Sequence, residues 1–356
     1  MQQEDSSDIT DLETNDHRYK INDILSYYME VYMKKVRLGN TELEVSPVGF
    51  GVMTINKFQL DLPLGQGAAL IKYALDKGVN FFDTAQYYET YDYIREALKM
   101  YYEEDPDAPA PVICSKCLDA GYDEMRFAVK QALDEMGLEK IDIFLLHEVR
   151  GGTDFEDRAG AWEYLQEAKN EGLVRYIGIS THNVEAAEKM ADIPECDIVF
   201  PLINYAGLGI RNGDGPGTSD EMAAAIKDLS DKGKGLFAMK AFGGGNLTGD
   251  YVKALDYVFG LDGLECVMIG IGKKDEVDTM IAYAEGRLDK DYAPDVSEKK
   301  IYINQGDCEG CGACKKRCPN GAIFWNDEGL ADVDHEICLT CGYCAPVCPV
   351  RAIIMY

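Results

Sequence analysis

The sequence has no apolar run long enough to cross a bilayer, and it is poor in basic side chains. Its 356 residues contain 35 Lys and Arg against 63 Asp and Glu, which gives a formal net charge of -28. A surface with this excess of negative charge repels nucleic-acid phosphates and anionic lipid headgroups. We therefore expect neither a nucleic acid nor a membrane as a partner.

The first residues also differ in composition from a secretory leader, and we expect no export signal. The first twenty residues are polar and acidic, whereas a leader has a basic start followed by an apolar segment. This composition predicts a cytoplasmic protein. Residues 1–32 are predicted to be an N-terminal extension, disordered or forming a short helix, ahead of a second plausible start at Met33.

The fingerprint G-x-G-x-x-G does not follow the first predicted strand, where GFGVMT opens no helix. Apolar segments instead alternate with segments of helical period from residue 47 to about residue 285. The eight predicted strands are 47–52, 80–84, 111–116, 141–147, 175–180, 197–203, 235–241 and 266–271. Nearly continuous apolar strands indicate a parallel sheet buried on both faces, and eight units predict a closed (β/α)8 TIM barrel. A doubly wound open sheet is the alternative.

The predicted organisation has four parts. The extension 1–32 precedes a barrel domain at 33–290, which begins with a hairpin around Gly39 that closes the barrel floor. A polar linker at 291–299 leads to a small α+β domain at 300–356. That last segment, called the tail below, contains eight of the twelve cysteines.

The tail cysteines form two copies of one pattern, offset by thirty residues. Each copy is C-x-x-C-x-x-C-x-x-x-C-P, and the residues are Cys308, Cys311, Cys314, Cys318, Cys338, Cys341, Cys344 and Cys348. In a chain without an export signal, such spacing favours metal over disulfides. Three closely spaced cysteines hold one [4Fe-4S] cluster, and the fourth, before proline, reaches the other cluster.

This rule predicts two ligand sets. Cys308, Cys311, Cys314 and Cys348 hold one cluster, and Cys338, Cys341, Cys344 and Cys318 hold its twin. The tail resembles a bacterial two-cluster ferredoxin. Zinc is the weaker alternative, because zinc sites pair C-x-x-C units, and clusters that only support a small apolar core are another alternative.

Four polar residues stand at or just after the ends of successive predicted strands in the barrel. They are Asp83, Tyr88, Lys116 and His147. The carboxyl ends of barrel strands form the catalytic face, so these side chains are expected to meet there. Tyr88 would act as a general acid, Lys116 would favour release of its proton, Asp83 would pair with the lysine, and His147 would orient a substrate oxygen.

The segment from about 36 to 285 resembles the aldo-keto reductase family, through LGNTELEVSPVGFG, GVNFFDTAQYY, LLH at 145–147 and GLVRYIGIS at 172–180. The resemblance implies reduction of a carbonyl or oxidation of an alcohol with NADP(H) or NAD(H), and it assigns the catalytic tetrad to the same four residues. Together with the tail, the chain resembles the iron-sulfur branch of that family, found in anaerobic microbes.

The positions that bind the dinucleotide in the family are only partly kept. Ser180 remains, but Thr181, Phe200 and Met239 replace the usual partners of the nicotinamide. Other candidate cofactor-binding residues are Gly243 and Gly244, in a loop after the seventh strand suited to a phosphate, and Gly272 with Lys273. His182 is expected either to line the pocket or to lie in an exposed loop.

A hydride carries two electrons, whereas each cluster passes one. Electron transfer between the two would therefore need a bound flavin, or the substrate would be reduced in single-electron steps. The leading hypothesis is an oxidoreductase acting on a carbonyl or alcohol, with Tyr88 as acid/base and two clusters exchanging electrons with an external carrier such as ferredoxin or flavodoxin. The alternatives are a conventional NAD(P)H-dependent reductase with structural clusters, and a redox-sensing module with little turnover. The sequence fixes neither the substrate nor the oligomeric state.

Overall fold

The structure is a computed structural model that describes residues 33–57, 59–295, 300–318, 320–338, 342–345 and 347–355. The predicted extension 1–32 lies outside the described residues. So do 296–299, within the predicted linker.

The prediction of a closed eight-stranded barrel is confirmed. Each strand pairs in parallel with its neighbours, and the sixth and seventh strands join to complete the circle of the sheet. The barrel strands are Val48–Gly51, Phe81–Asp83, Val112–Cys117, Ile141–Leu146, Val174–Thr181, Ile198–Pro201, Gly235–Ala238 and Cys266–Gly270. All eight therefore direct their carboxyl ends to one rim, which collects the strand-end side chains.

Helices surround the barrel because their apolar residues recur every three or four positions. They are Leu64–Asp76, Tyr91–Glu104, Tyr122–Met136, Asp154–Asp157, Ala159–Asn170, Val184–Lys189, Ser219–Asp231, Tyr251–Phe259 and Lys274–Ala284. Their buried faces pack on the outward side chains of the strands and form the larger hydrophobic core.

Strand alternation sorts the side chains of Val112–Cys117 between two environments. Cys114 packs inside the barrel, whereas Cys117 joins the core beneath the helices. The outward Ser115 contacts the hydroxyl of Tyr91 at 2.8 Å. Lys116 shares the inward face with Cys114, which brings its ammonium group into the barrel mouth.

A hairpin closes the opposite end of the barrel, as predicted. Its strands Val36–Arg37 and Glu44–Val45 pair antiparallel, and Leu38 between them packs among the interior side chains. Gly39 adopts φ +46° at the turn. Its amide donates to the carboxylate of Glu265 at 3.2 Å, which ties the hairpin to the barrel.

The described residues of the tail form two small antiparallel sheets and one short helix. Ile301–Ile303 pairs with Ile353–Met355, and Ile323–Trp325 pairs with Ala331–Val333. The helix is Ala313–Arg317. No helix among the described residues is both long and apolar enough to span a membrane.

Candidate active site and cysteine-rich tail

The structure brings the four predicted residues of the tetrad to one rim of the barrel. Asp83 ends the second strand, Lys116 lies near the end of the third, and His147 directly follows the fourth. Tyr88 ends a single helical turn, Gln86–Tyr88, after the second strand. The common direction of parallel strands accounts for this convergence.

Lys116 and Asp83 form a buried ion pair. The lysine side chain is 1% exposed, and its Nζ lies 2.7 Å from Asp83 Oδ1. The same ammonium donates to the carbonyl oxygen of Thr84 at 2.6 Å. Burial raises the pKa of Asp83, and the neighbouring ammonium opposes this rise. The pair holds the Lys116 side chain in place, since loss of either partner would leave the other group buried alone.

Tyr88 lies between this ion pair and His147. Its hydroxyl is 3.4 Å from His147 Nε2, and the two rings meet edge to face at 5.5 Å between centroids. Lys116 Nζ lies 4.8 Å from the centroid of the Tyr88 ring. The phenol and the imidazole line the cavity, and the buried ammonium lies behind the Tyr88 ring.

The pKa of Tyr88 differs from the expectation that Lys116 would favour release of its proton. Burial raises the pKa of Tyr88 well above its usual value, and the charges of Asp83 and Asp307 add to this effect. The expected lowering by Lys116 is therefore outweighed. Burial, followed by the charge of Lys116, holds the pKa of His147 well below its usual range. At neutral pH the site contains a protonated phenol and a neutral imidazole.

The residues predicted to bind a cofactor lie in different parts of the barrel rim, and Ser180 is the one that lines the described cavity. Ser180 lines the same cavity as Tyr88 and His147, and its hydroxyl oxygen accepts from the amide of Glu148 at 2.9 Å. Phe200, where the family resemblance led us to expect a polar partner, stacks on Phe237 at 4.1 Å.

The glycine loop after the seventh strand contacts the tail. Gly243 and Gly244 have φ of +56° and +66°. The carbonyl of Gly244 accepts from the amide of Met355 at 2.7 Å. A Cβ on the next residue, Gly245, would overlap the Met355 carbonyl oxygen. The glycines thus allow the last tail strand to approach the barrel backbone closely.

The loop after the eighth strand is closed by a side chain of its own helix. The amide of Gly272 donates to the carboxylate of Glu276 at 2.8 Å. Lys273 is exposed and immediately precedes the helix Lys274–Ala284. A carboxylate therefore occupies the first turn of that helix, where a phosphate would otherwise find favourable amides.

Sequence reasoning did not anticipate that the tail forms one wall of the cavity. Asn304, Gly306, Asp307 and Ile354 line it together with the tetrad residues Tyr88 and His147. No local pattern signals such a contact, because the tail and the barrel rim are distant in sequence.

A second group of titratable residues connects the barrel rim to the tail. Lys240 Nζ lies 3.0 Å from Asp307 Oδ2, and ligand atoms of Glu148, His182 and Asp307 lie within 4.8 Å of one another. Burial, followed by the charge of Asp307, raises the pKa of Glu148 to about 8. Burial also lowers the pKa of His182 to about 3.

Asp307 remains ionised within this group. Burial alone would raise its pKa, but the charge of Lys240 and the hydrogen bond from that lysine outweigh burial and lower it overall. The carboxylate is thus balanced by lysine, and Glu148 holds its proton at neutral pH. This group needs no cation for charge balance. His182 takes its place in the cavity wall, the first of its two expected positions.

The described tail cysteines lie close to one another, within and between the two predicted ligand sets. Burial raises the pKa of Cys314, and the nearby Cys348, Cys308 and Cys311 raise it further. Burial also raises the pKa of Cys344 to about 11, with a contribution from Cys338 among its neighbours. Cys341 lies outside the described residues.

The thirty-residue repeat is also visible in the backbone hydrogen bonds. Cys318 Sγ accepts from the amide of Ala322, and Cys348 Sγ accepts from the amide of Ala352, both at 3.3 Å. Amides directed at sulfur stabilise thiolates and tune clusters that they hold. The donor set and its amides therefore fit iron-sulfur clusters.

Comparisons with known proteins agree with both parts of the chain. Residues 47–262 match the model of the aldo/keto reductase family, and residues 307–352 match a 4Fe-4S dicluster domain. L-galactose dehydrogenase from Arabidopsis thaliana is 24% identical over 220 residues, which are 59% of this chain and 66% of that protein. L-glyceraldehyde 3-phosphate reductase from Escherichia coli is 28% identical over 209 residues, or 52% of this chain and 56% of that protein.

A solved aldo-keto reductase from Bacillus halodurans has the same fold. Its TM-score is 0.56 at 18% identity, covering 75% of this chain and 94% of that one. The chain spans less than two thirds of the length of the curated relatives named above. The family model matches more than half of the chain, so this chain belongs to the aldo/keto reductase family, and its tail matches a 4Fe-4S dicluster domain.

Proposed function

We propose that the protein reduces a carbonyl compound, or oxidises the corresponding alcohol, with Tyr88 as proton donor and acceptor, and that two clusters exchange electrons with an external one-electron carrier. The main support for this proposal is that the tail and the tetrad share one cavity. Asp307 and Ile354 of the tail line the same cavity as Tyr88 and His147. A tail that only supported the fold would have no need to line this space.

The tetrad residues have distinct roles in this proposal. Tyr88 holds its proton at neutral pH and gives it to the substrate oxygen. The ammonium of Lys116, 4.8 Å from the phenol ring, stabilises the phenolate that remains, and Asp83 keeps that ammonium in place. The neutral His147 orients the oxygen beside the phenol.

Conversion of a carbonyl to an alcohol takes up two electrons and two protons. Tyr88 supplies one proton, and Glu148 is a second protonated group lining the cavity. The eight predicted cysteines would hold the clusters, which would supply single-electron transfer. The reduced carrier is the source of both electrons.

The dinucleotide and flavin remain alternative electron donors. Barrels commonly hold phosphates in the loops after the seventh and eighth strands. Here Met355 occupies the first loop through Gly244, and Glu276 occupies the second through Gly272. A dinucleotide would have to displace both contacts, which favours the carrier as electron source.

An activity comparison distinguishes this proposal from a conventional reductase. The anaerobically prepared full-length protein is assayed on a panel of aldehydes, ketones and quinones, with either reduced ferredoxin or NAD(P)H. We expect ferredoxin-linked turnover in the wild type and its loss in Cys311→Ser/Cys341→Ser, with Cys196→Ser as the matched control. NAD(P)H-linked turnover at equal rates in the wild type and the double variant would overturn the proposal.

A further inference from the structure

The short tail helix Ala313–Arg317 places three consecutive basic side chains on the surface. Lys315, Lys316 and Arg317 are all exposed. The chain as a whole has a formal charge of -28, so a dense group of cations is unusual on it. Such a local reversal of sign directs the approach of a charged partner.

Two exposed aromatic rings flank these cations. Lys315 Nζ lies 5.4 Å from the centroid of the Trp325 ring, and the Arg317 guanidinium lies 5.2 Å from that of Tyr343. The two aromatic residues are 40% and 55% exposed. We call Lys315, Lys316, Arg317, Trp325 and Tyr343 the basic-aromatic patch. Exposed aromatic residues with neighbouring cations are typical of the centres of protein interfaces.

The patch lies beside the most exposed described cysteine of the first predicted ligand set. Cys311 is exposed, whereas Cys314 is buried in the helix that carries the cations. The Trp325 ring covers the backbone of Gly312, where an added Cβ would lie 2.9 Å from Trp325 Cζ2. A partner seated here would approach the sulfur ligands more closely than one seated on a barrel helix.

We propose that the basic-aromatic patch is the docking surface for an acidic one-electron carrier protein. This inference rests on the proposed function, because it concerns where the carrier binds. The remaining acidic surface repels such a partner, so attraction to the patch and repulsion elsewhere favour one orientation. A few aromatic residues and three cations fit a small, short-lived interface of the kind found between redox partners.

The test measures binding to the intact, cluster-containing protein under anaerobic conditions. The probe is an oxidised acidic two-cluster ferredoxin, with a basic c-type cytochrome as a comparison, and affinity is measured by calorimetry. The test variant is Lys315→Glu/Lys316→Glu/Arg317→Glu. The matched control, Lys99→Glu/Lys130→Glu/Lys140→Glu, changes the net charge equally at exposed barrel positions.

We expect reversal in the patch to weaken ferredoxin binding at least tenfold, and the control by less than about twofold. Wild-type affinity should also fall about tenfold as salt rises from 20 to 300 mM, because exposed charges are then screened. This salt measurement tests the inference even where the variant assembles its clusters poorly. Equal effects in both variants, salt-independent binding, or self-association through the patch without ferredoxin binding would overturn it.

Failure of the docking inference can be separated from failure of the proposed function. Reduced methyl viologen is a small donor that needs no protein interface. Carbonyl turnover with this donor, together with unchanged ferredoxin binding in the patch variant, would reject the docking surface alone. Absence of turnover with either donor would reject the proposed function.

Discussion

At the scale of single residues, Tyr88 has the most specific role. Its hydroxyl faces His147 and its ring lies beside the Lys116 ammonium, so removal of the oxygen leaves the packing intact. We predict that Tyr88→Phe lowers turnover by about 10²- to 10⁴-fold, as loss of a general acid does. Steady-state kinetics measure this loss, with Tyr102→Phe, at a partly buried tyrosine that does not line the cavity, as the matched control. Similar rates in both variants would contradict the assignment.

Glu148 gives stability a dependence on pH. Its pKa is about 8 in the folded protein, against an ordinary value of 4.5. The folded state therefore binds the extra proton between these values, and stability falls as pH rises through this interval. The charged groups facing the carboxyl are Asp307, Lys240 and Arg150.

We predict that Glu148→Gln flattens this fall, because the amide can donate to Asp307 without titrating. Thermal unfolding of the wild type and the variant at pH 5 to 9 measures the effect. Glu139→Gln, at an exposed position, is the control and should keep the wild-type slope. Parallel curves for the wild type and Glu148→Gln would show that Glu148 does not cause the dependence.

The position of a site residue can be predicted from the sequence where that residue lies at the end of a recognisable strand. The locations of Asp83, Lys116 and His147 at the rim follow from strand endings visible in the sequence. The ion pair between Lys240 and Asp307 does not, because it joins residues 67 positions apart through the docking of two separately patterned segments.

At the scale of elements, the glycine loop and the last strand depend on each other. Gly245 has φ +84°, and a Cβ there would overlap the carbonyl oxygen of Met355. We predict that Gly245→Ala loosens the strand Ile353–Met355 from the barrel, seen as at least tenfold faster hydrogen exchange at the Met355 amide. The control is Gly249→Ala, where nothing lies within 4 Å of an added Cβ. Unchanged exchange in Gly245→Ala would contradict this contact.

The barrel strands were predictable because parallel strands buried on both faces are nearly continuously apolar. The short tail strands were harder to predict, since three-residue segments such as Ile323–Trp325 have too little pattern to identify. The contact between the glycine loop and the last tail strand was also not predictable from the sequence. A run of glycines is as suitable for close contact with a protein strand as with a phosphate.

For the whole molecule, we expect the tail to depend on its clusters for folding, because its apolar core is small. Its core contains several of the cysteines themselves. We predict about eight iron and eight sulfide per chain, and Cys344→Ser should lose at least half of the iron and lower the Tm. Cys196→Ser, in the barrel core, should keep all of the iron. Full iron content in Cys344→Ser would contradict the ligand assignment.

In the proposed reaction, the phenol and the reduced tail act on one substrate. The most direct test is stopped-flow oxidation of the chemically reduced full-length protein by a carbonyl compound that the wild type turns over, without dinucleotide. We predict that the cluster absorbance recovers about a hundredfold faster in the wild type than in Tyr88→Phe. Equal rates of recovery in the two proteins would contradict it.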